Sequence, residues 1–117
     1  VSDHELESAL TRPISEIKAD LFRSMSHPAR VRVLELLADG ERSVGEMQPR
    51  VGIESSYLSQ QLAVLRRSGL VSTRKEGSTV FYAIRDRAVV DLLLDAKRVL
   101  INMLAESTEL LADLSET

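Results

Sequence analysis

A mainly α fold with one small β element is what this 117-residue sequence predicts. Three observations lead there. Apolar residues recur at helical spacing through most of the chain. Stretches rich in β-formers are confined to residues 71–84, and the segment from Ala88 to Leu114 holds neither Gly nor Pro. The length suits a single domain over residues 1–117, with residues 1–12 expected to be flexible.

The elements follow in order. "RPISEIKADLFRSM" has Pro13 placed to open a helix, with Ile14, Ile17, Leu21 and Met25 at helical spacing. "SHPARVRVLELLADG" starts again, capped by Ser26 or His27, with Pro28 in the first turn and Gly40 as a stop. Ala29, Val33, Leu36 and Leu37 form its stripe and Val31 and Leu34 widen it, so this helix should be largely buried. Ser43 caps a short helix in "SVGEMQPRV", which Pro49 is expected to end or kink. Gly52 makes a turn, Glu54 or Ser55 begins the next helix, and Gly69 ends it. "LVSTRKE" and "TVFYAI", joined at Gly77-Ser78, read as a two-stranded hairpin. A lone hairpin is marginal, so it should lean on the helices through Val71, Val80, Tyr82 or Ile84.

The terminal helix, 88–114, carries a heptad seam. Val89, Leu93, Ala96, Leu100, Met103, Leu110 and Leu114 follow it, interrupted only by Ser107. A second stripe, Val90, Leu94, Ile101, Leu104 and Leu111, lies on another side. Two apolar faces on one long helix are more than a small domain covers, so one is expected to pack on a partner.

Composition removes several function classes. Without cysteine there are no disulfides, zinc-thiolate sites or thiol redox chemistry. No apolar run approaches membrane-spanning length, and no signal pattern opens the sequence, so a cytoplasmic location is expected. The net charge of −3 is uneven. Residues 42–87 hold eight basic and four acidic groups, whereas residues 88–117 hold two basic and six acidic. A basic middle in an acidic chain fits a nucleic-acid binder confined to one face, although scattered surface charge would look similar.

The helix in "ESSYLSQQLAVLRRSGLV" decides between these. Leu58, Leu62 and Leu65 take one side. The other shows Ser55, Ser56, Tyr57, Ser59 and Gln60 in place of the usual surface acids and lysines. Two helices at an angle (residues 43–68), the second neutral and polar outside, then a basic hairpin (71–84), make a winged helix-turn-helix. A helix in a major groove must match base-edge donors and acceptors, which Gln and Ser do, while acids would meet phosphate with the wrong sign. Ser55, Ser56, Tyr57, Ser59 and Gln60 are therefore assigned to double-stranded DNA. Ser55 and Ser56 are also within reach of phosphate, while Gln61 lies nearer the buried edge. Arg66, at the far end of that helix, and Arg74, Lys75 and Ser78 in the wing complete the expected contacts.

At this point the sequence resembles the ArsR/SmtB transcriptional regulators of bacteria and archaea. "FRSMSHPARVRVLELLADGERSVGEM", "SSYLSQQLAVLRRSGLVSTRKEGSTVFYAI" and the terminal helix carry the resemblance. It implies a homodimer built on the first and last helices, through Ile17, Leu21, Leu93, Ala96, Leu100, Met103 and Leu110. That dimer would bind an operator of inverted symmetry, usually as a repressor. Many members have His where this chain has Gln60, which alters the expected base preference. The family's metal-ligand motifs are missing. Met47 lies within "VGEMQ" where one site needs Cys-x-Cys. Asp86 matches the first ligand of another, but Ala88, Val99 and Asn102 replace the rest. No metal or other cofactor is expected. His27 reads as a structural cap, and His4 as part of a loose acidic stretch. A small-molecule effector, a protein effector or none would each fit. The alternative function is a winged-helix adaptor that binds protein and not DNA. Catalysis is not expected, since no nucleophile–base pair or phosphate-binding loop appears.

Overall fold

The computed structural model describes residues 12–116. The flexible stretch expected over 1–12, His4 included, falls outside the described residues except for Arg12. The chain divides into two compact units, one ending at Arg85 and the other beginning at Asp86.

The first unit opens with helix α1, Ile14–Met25. The Pro13 carbonyl accepts from the N–H groups of Glu16 and Ile17, and Arg12 and Arg23 both pair with Asp20. Only Met25 of this helix is buried; Ile14, Ile17, Leu21 and Phe22 face outward. Helix α2, Pro28–Leu37, has Pro28 in its first turn and His27 as its cap, the imidazole Nδ1 accepting from Ala29 N–H at 3.0 Å. Ala29, Val33, Leu34, Leu36 and Leu37 are buried along it. They make α2 the centre of the core, as its widened stripe predicts.

Strand β1, Arg42–Ser43, leads straight into helix α3, Val44–Val51. Ser43 and Glu46 close a capping box at that junction: the Ser43 hydroxyl accepts from Glu46 N–H, and the Glu46 carboxylate accepts from Ser43 N–H at 3.0 Å. Of the two outcomes expected for Pro49, ending or kinking the helix, the first does not occur. The helix continues to Val51, and the proline deprives only the Gly45 carbonyl of a partner, on an exposed turn open to water. Gly52, at φ +75°, then turns the chain, and Gln48 donates to the Ile53 carbonyl to hold the turn.

Helix α4 spans Ser55–Arg67. Leu58, Leu62 and Leu65 are essentially inaccessible, on a helix that packs against α2 in the core. Burial of each leucine contributes about 1.5–3 kcal/mol. The helix ends in a Schellman motif: Gly69 N–H donates to the Arg66 carbonyl and Leu70 N–H to the Leu65 carbonyl. Leu70 and Val71 are buried immediately afterwards, so this ending aims the chain back into the core.

Strands β2, Val71–Glu76, and β3, Thr79–Ile84, form the expected hairpin. Gly77 has φ +62° and Ser78 a negative φ, the combination of a type II′ turn. The register pairs Val71, Thr73 and Lys75 with Ile84, Tyr82 and Val80. One face thus carries the apolar residues expected to lean on the helices, and β3 packs on α2 while β2 packs on α4. The sheet has three strands where the sequence predicted two, in the order β1-β3-β2. Arg42 and Ser43 pair with Tyr82 and Phe81.

The second unit is helix α5, Ala88–Glu116, with Asp86 accepting from Ala88 N–H through its carboxylate. At 1.5 Å per residue it extends about 44 Å. Val89 is buried and Leu93 half-buried. Leu100, Met103, Leu110 and Leu114 of the seam are exposed, as are Leu94, Ile101, Leu104 and Leu111 of the second stripe.

Candidate nucleic-acid interface

Helix α4 presents the surface that the sequence singles out. Its three leucines and Gln61 face inward, so Ser55, Ser56, Tyr57, Ser59 and Gln60 are turned out. Among the described residues, the side chains of Ser55, Ser59 and Gln60 make no hydrogen bond and keep their full donor and acceptor capacity. Ser56 donates to the Glu54 carboxylate at 3.0 Å, which places an acid beside the helix N-terminus. Arg66 and Arg67 are exposed in the last turn, where cations complement the helix dipole.

Two side-chain bonds join α4 to α2 like rungs. His27 Nε2 lies 2.7 Å from the Tyr57 hydroxyl, with the rings edge to face at 5.6 Å between centroids. Arg30 Nη1 donates to Gln61 Oε1 at 2.7 Å. The spacing fits helical geometry: residues 27 and 30, and residues 57 and 61, each lie about one turn apart. Gln61, only 7% exposed, is therefore fixed inward and is not part of the outer surface. Arg30 also donates to the carbonyls of Ser24 and Arg23, so one guanidinium ties the end of α1 to α4.

In the wing, Lys75 and Ser78 are exposed near the tip. Ser78 also lines an open cleft with Ser43, Val44, Gly45, Thr79 and Val80, between the start of α3 and the hairpin. Arg74 is not a free cation. Its Nε donates to both Glu41 oxygens at 3.1 and 3.0 Å and its Nη1 to Glu76 at 2.8 Å, while its guanidinium stacks 4.6 Å over Phe81. The hydrogen bonds to Glu41 and then Glu76 raise the Arg74 pKa further, and the Arg74 hydrogen bond holds the Glu41 carboxyl below its usual range. Sequence reasoning counted this arginine with the wing's free positive charge. Its pairing with Glu41, 33 positions away, leaves no trace in local composition.

Among the described residues no three His, Asp or Glu side chains gather as a metal site, and no helix is long and apolar enough to cross a membrane.

Comparison with known proteins bears on this surface. The family model described as "Bacterial regulatory protein, arsR family" matches residues 27–73, which run from the α2 cap through α4 into the wing. The HTH-type transcriptional regulator Rv0081 of Mycobacterium tuberculosis is 45% identical over 105 residues, covering 89% of this chain and 92% of that protein. Its crystal structure superposes with a TM-score of 0.76 over 83% of this chain and 98% of the other. The crystal structure of the transcriptional repressor BigR from Xylella fastidiosa gives 0.69 at 32% identity, covering 85% and 96%. The solution structure of the homodimeric winged helix-turn-helix DNA-binding domain of Mb0332 from Mycobacterium bovis gives 0.70 at 26% identity, covering 91% and 93%.

Proposed function

The chain belongs to the arsR family of bacterial regulatory proteins and is a DNA-binding transcriptional regulator; on that footing we propose that it acts as a homodimeric cytoplasmic repressor reading an inverted-repeat operator. The observation that carries the reading is the unengaged Ser55, Ser59 and Gln60 on the exposed side of α4, whose buried leucines fix the helix. Side chains with unspent donors and acceptors on a rigid helix suit base-edge recognition, because little entropy is lost when they engage.

In this reading Ser59 and Gln60 select sequence, with Gln60 pairing to adenine N6 and N7. Lys75, Ser78 and Arg66 follow phosphates on either side, and the cleft between the hairpin and α3 admits one backbone strand. Arg74 joins them only by exchanging Glu41 and Glu76 for a phosphate. Dimerisation uses apolar residues left outward, Ile17 and Leu21 on α1 and Ala96, Leu100, Met103 and Leu110 on α5, together with the half-buried Leu93. The homodimeric state of the Mb0332 domain supports this, and the repressor BigR supports the direction of regulation. Two recognition helices of such a dimer enter successive major grooves about 34 Å apart. Occupation of a promoter then blocks transcription sterically, so binding alone performs the function.

The test is fluorescence anisotropy with duplex from upstream of the protein's own gene, against scrambled duplex, over a salt series. The expected result is tight, salt-dependent binding that prefers the upstream duplex. Gln60→Ala should weaken it by roughly 1–3 kcal/mol while leaving scrambled duplex almost unaffected. Wild-type binding to neither duplex would favour the protein adaptor instead.

A further inference from the structure

Tyr57 stands at the rim of the outward face of α4. It lies one turn before both exposed Gln60 and buried Gln61, is 40% exposed, and touches the start of α2 on its inner side. A duplex seated on Ser59 and Gln60 places base edges over those residues and its sugar-phosphate wall over the rim.

The hydrogen bonds around His27 settle which way the tyrosine proton points. Ala29 N–H donates to Nδ1, so Nδ1 carries a lone pair and the ring proton sits on Nε2. That Nε2–H is directed at the Tyr57 oxygen, 2.7 Å away, and the phenol accepts it. The phenolic proton is then left for an acceptor outside, and a hydroxyl that accepts one hydrogen bond donates a stronger second one.

From this geometry we propose that Tyr57 donates a hydrogen bond to a DNA phosphate and that His27 is the positioning residue that fixes it as a donor. The proposal rests on the DNA-binding reading above, and deepens it. The first-turn N–H of α2 that His27 caps thereby sets the polarity of a contact on the recognition helix: Ala29 to His27, His27 to Tyr57, Tyr57 to phosphate. An anion is the matching acceptor, since a phosphate oxygen has only lone pairs to offer.

Two substitutions separate this role from simple support of the fold. His27→Asn keeps an acceptor near the position of Nδ1 and remains a strong helix cap, but ends short of Tyr57. Tyr57→Phe keeps the ring and removes the hydroxyl. Each should weaken operator binding by about tenfold per half-site, the worth of a hydrogen bond to a charged group. The double variant should be no weaker than either single one, and His27→Asn should melt close to the wild type. Replacing the contacted phosphate by a neutral methylphosphonate should erase the difference between wild type and Tyr57→Phe. Long-range 1H–15N correlation on the free protein should show the Nε2–H tautomer.

Wild-type affinity in Tyr57→Phe, additive losses in the double variant, or an Nδ1–H tautomer would each overturn the proposal. So would a Tyr57→Phe defect that disappears on changing a base and not a phosphate. If the wild-type chain binds no duplex, the DNA reading itself fails and the proposal with it. That outcome is separate from one in which the wild type binds and the variants match it.

Discussion

Arg30→Ala removes a side chain that bonds to three places at once. Two of its acceptors are the Arg23 and Ser24 carbonyls at the end of α1, at 3.3 and 2.9 Å, and the third is Gln61 Oε1 at 2.7 Å. The carbonyls lie near the surface and recover water in part. The Gln61 oxygen belongs to a residue only 7% exposed and is left without its donor. An orphaned buried acceptor costs about 1–3 kcal/mol, and the two weakened carbonyl bonds bring the expected loss to about 2–4 kcal/mol. For a chain of this length that lowers the melting temperature by roughly 10 °C. Urea denaturation followed by circular dichroism, at one fixed protein concentration because a dimer's stability depends on it, gives the free energy. The decisive comparison is made in a Gln61→Leu background, where no acceptor remains to be orphaned. There Arg30→Ala should cost about 1–2 kcal/mol less than in the wild type. Losses that add within about 0.5 kcal/mol would refute the account and reduce Arg30 to a cap on α1.

Three further outcomes follow from the same geometry. Leu100→Glu, at a leucine 60% exposed in the single chain, should halve the mass measured by light scattering and leave the helical content unchanged; an unchanged mass would move the interface elsewhere. Arg74→Ala should flatten the salt dependence of duplex binding by about one phosphate contact, and Glu41→Gln, which loosens that arginine, should steepen it. Unchanged slopes in both would make Arg74 a clip across the wing and nothing more. Glu46 accepts from Ser43 N–H and the Ser43 hydroxyl, which lowers its pKa. Its contribution to stability is therefore complete above the unfolded value of about 4.3 and disappears as pH falls through the lower folded value. The stability gap between wild type and Glu46→Gln should accordingly close below about pH 4 in acid titration.

What could be read from sequence was what short-range periodicity encodes. The inward leucines of α4, the capping of α2 by His27, the stop at Gly69 and the alternation of the hairpin all depend on neighbours within a few residues. Strand β1 is different. Two residues cannot display alternation, and Arg42–Ser43 becomes a strand only because Phe81 and Tyr82 offer a free edge some forty residues later. That Pro49 does not end α3 has a related reason: its cost depends on whether one carbonyl can reach water, which is a property of the surface and not of the residue type. At the candidate interface, the set of outward residues on α4 was legible because burial of one helix face fixes the other. The partners of Tyr57 and Arg74 were not. His27 and Glu41 lie 30 and 33 positions away, and charge or polarity counted along the chain cannot say which groups have already satisfied one another.

Ser43 belongs at once to the edge of the sheet and to the cap of α3. The wing and the first helix of the reading head therefore share a joint with no slack between them. A hairpin pushed by a DNA backbone cannot swing like a flap on a tether; it must carry the start of α3 with it, or pull the capping box apart. Ser43, beside Arg42 in the same short strand, is thus one of the links between the wing and α3. If α4 and the hairpin engage one duplex as proposed, a groove width that suits one but not the other would load this joint.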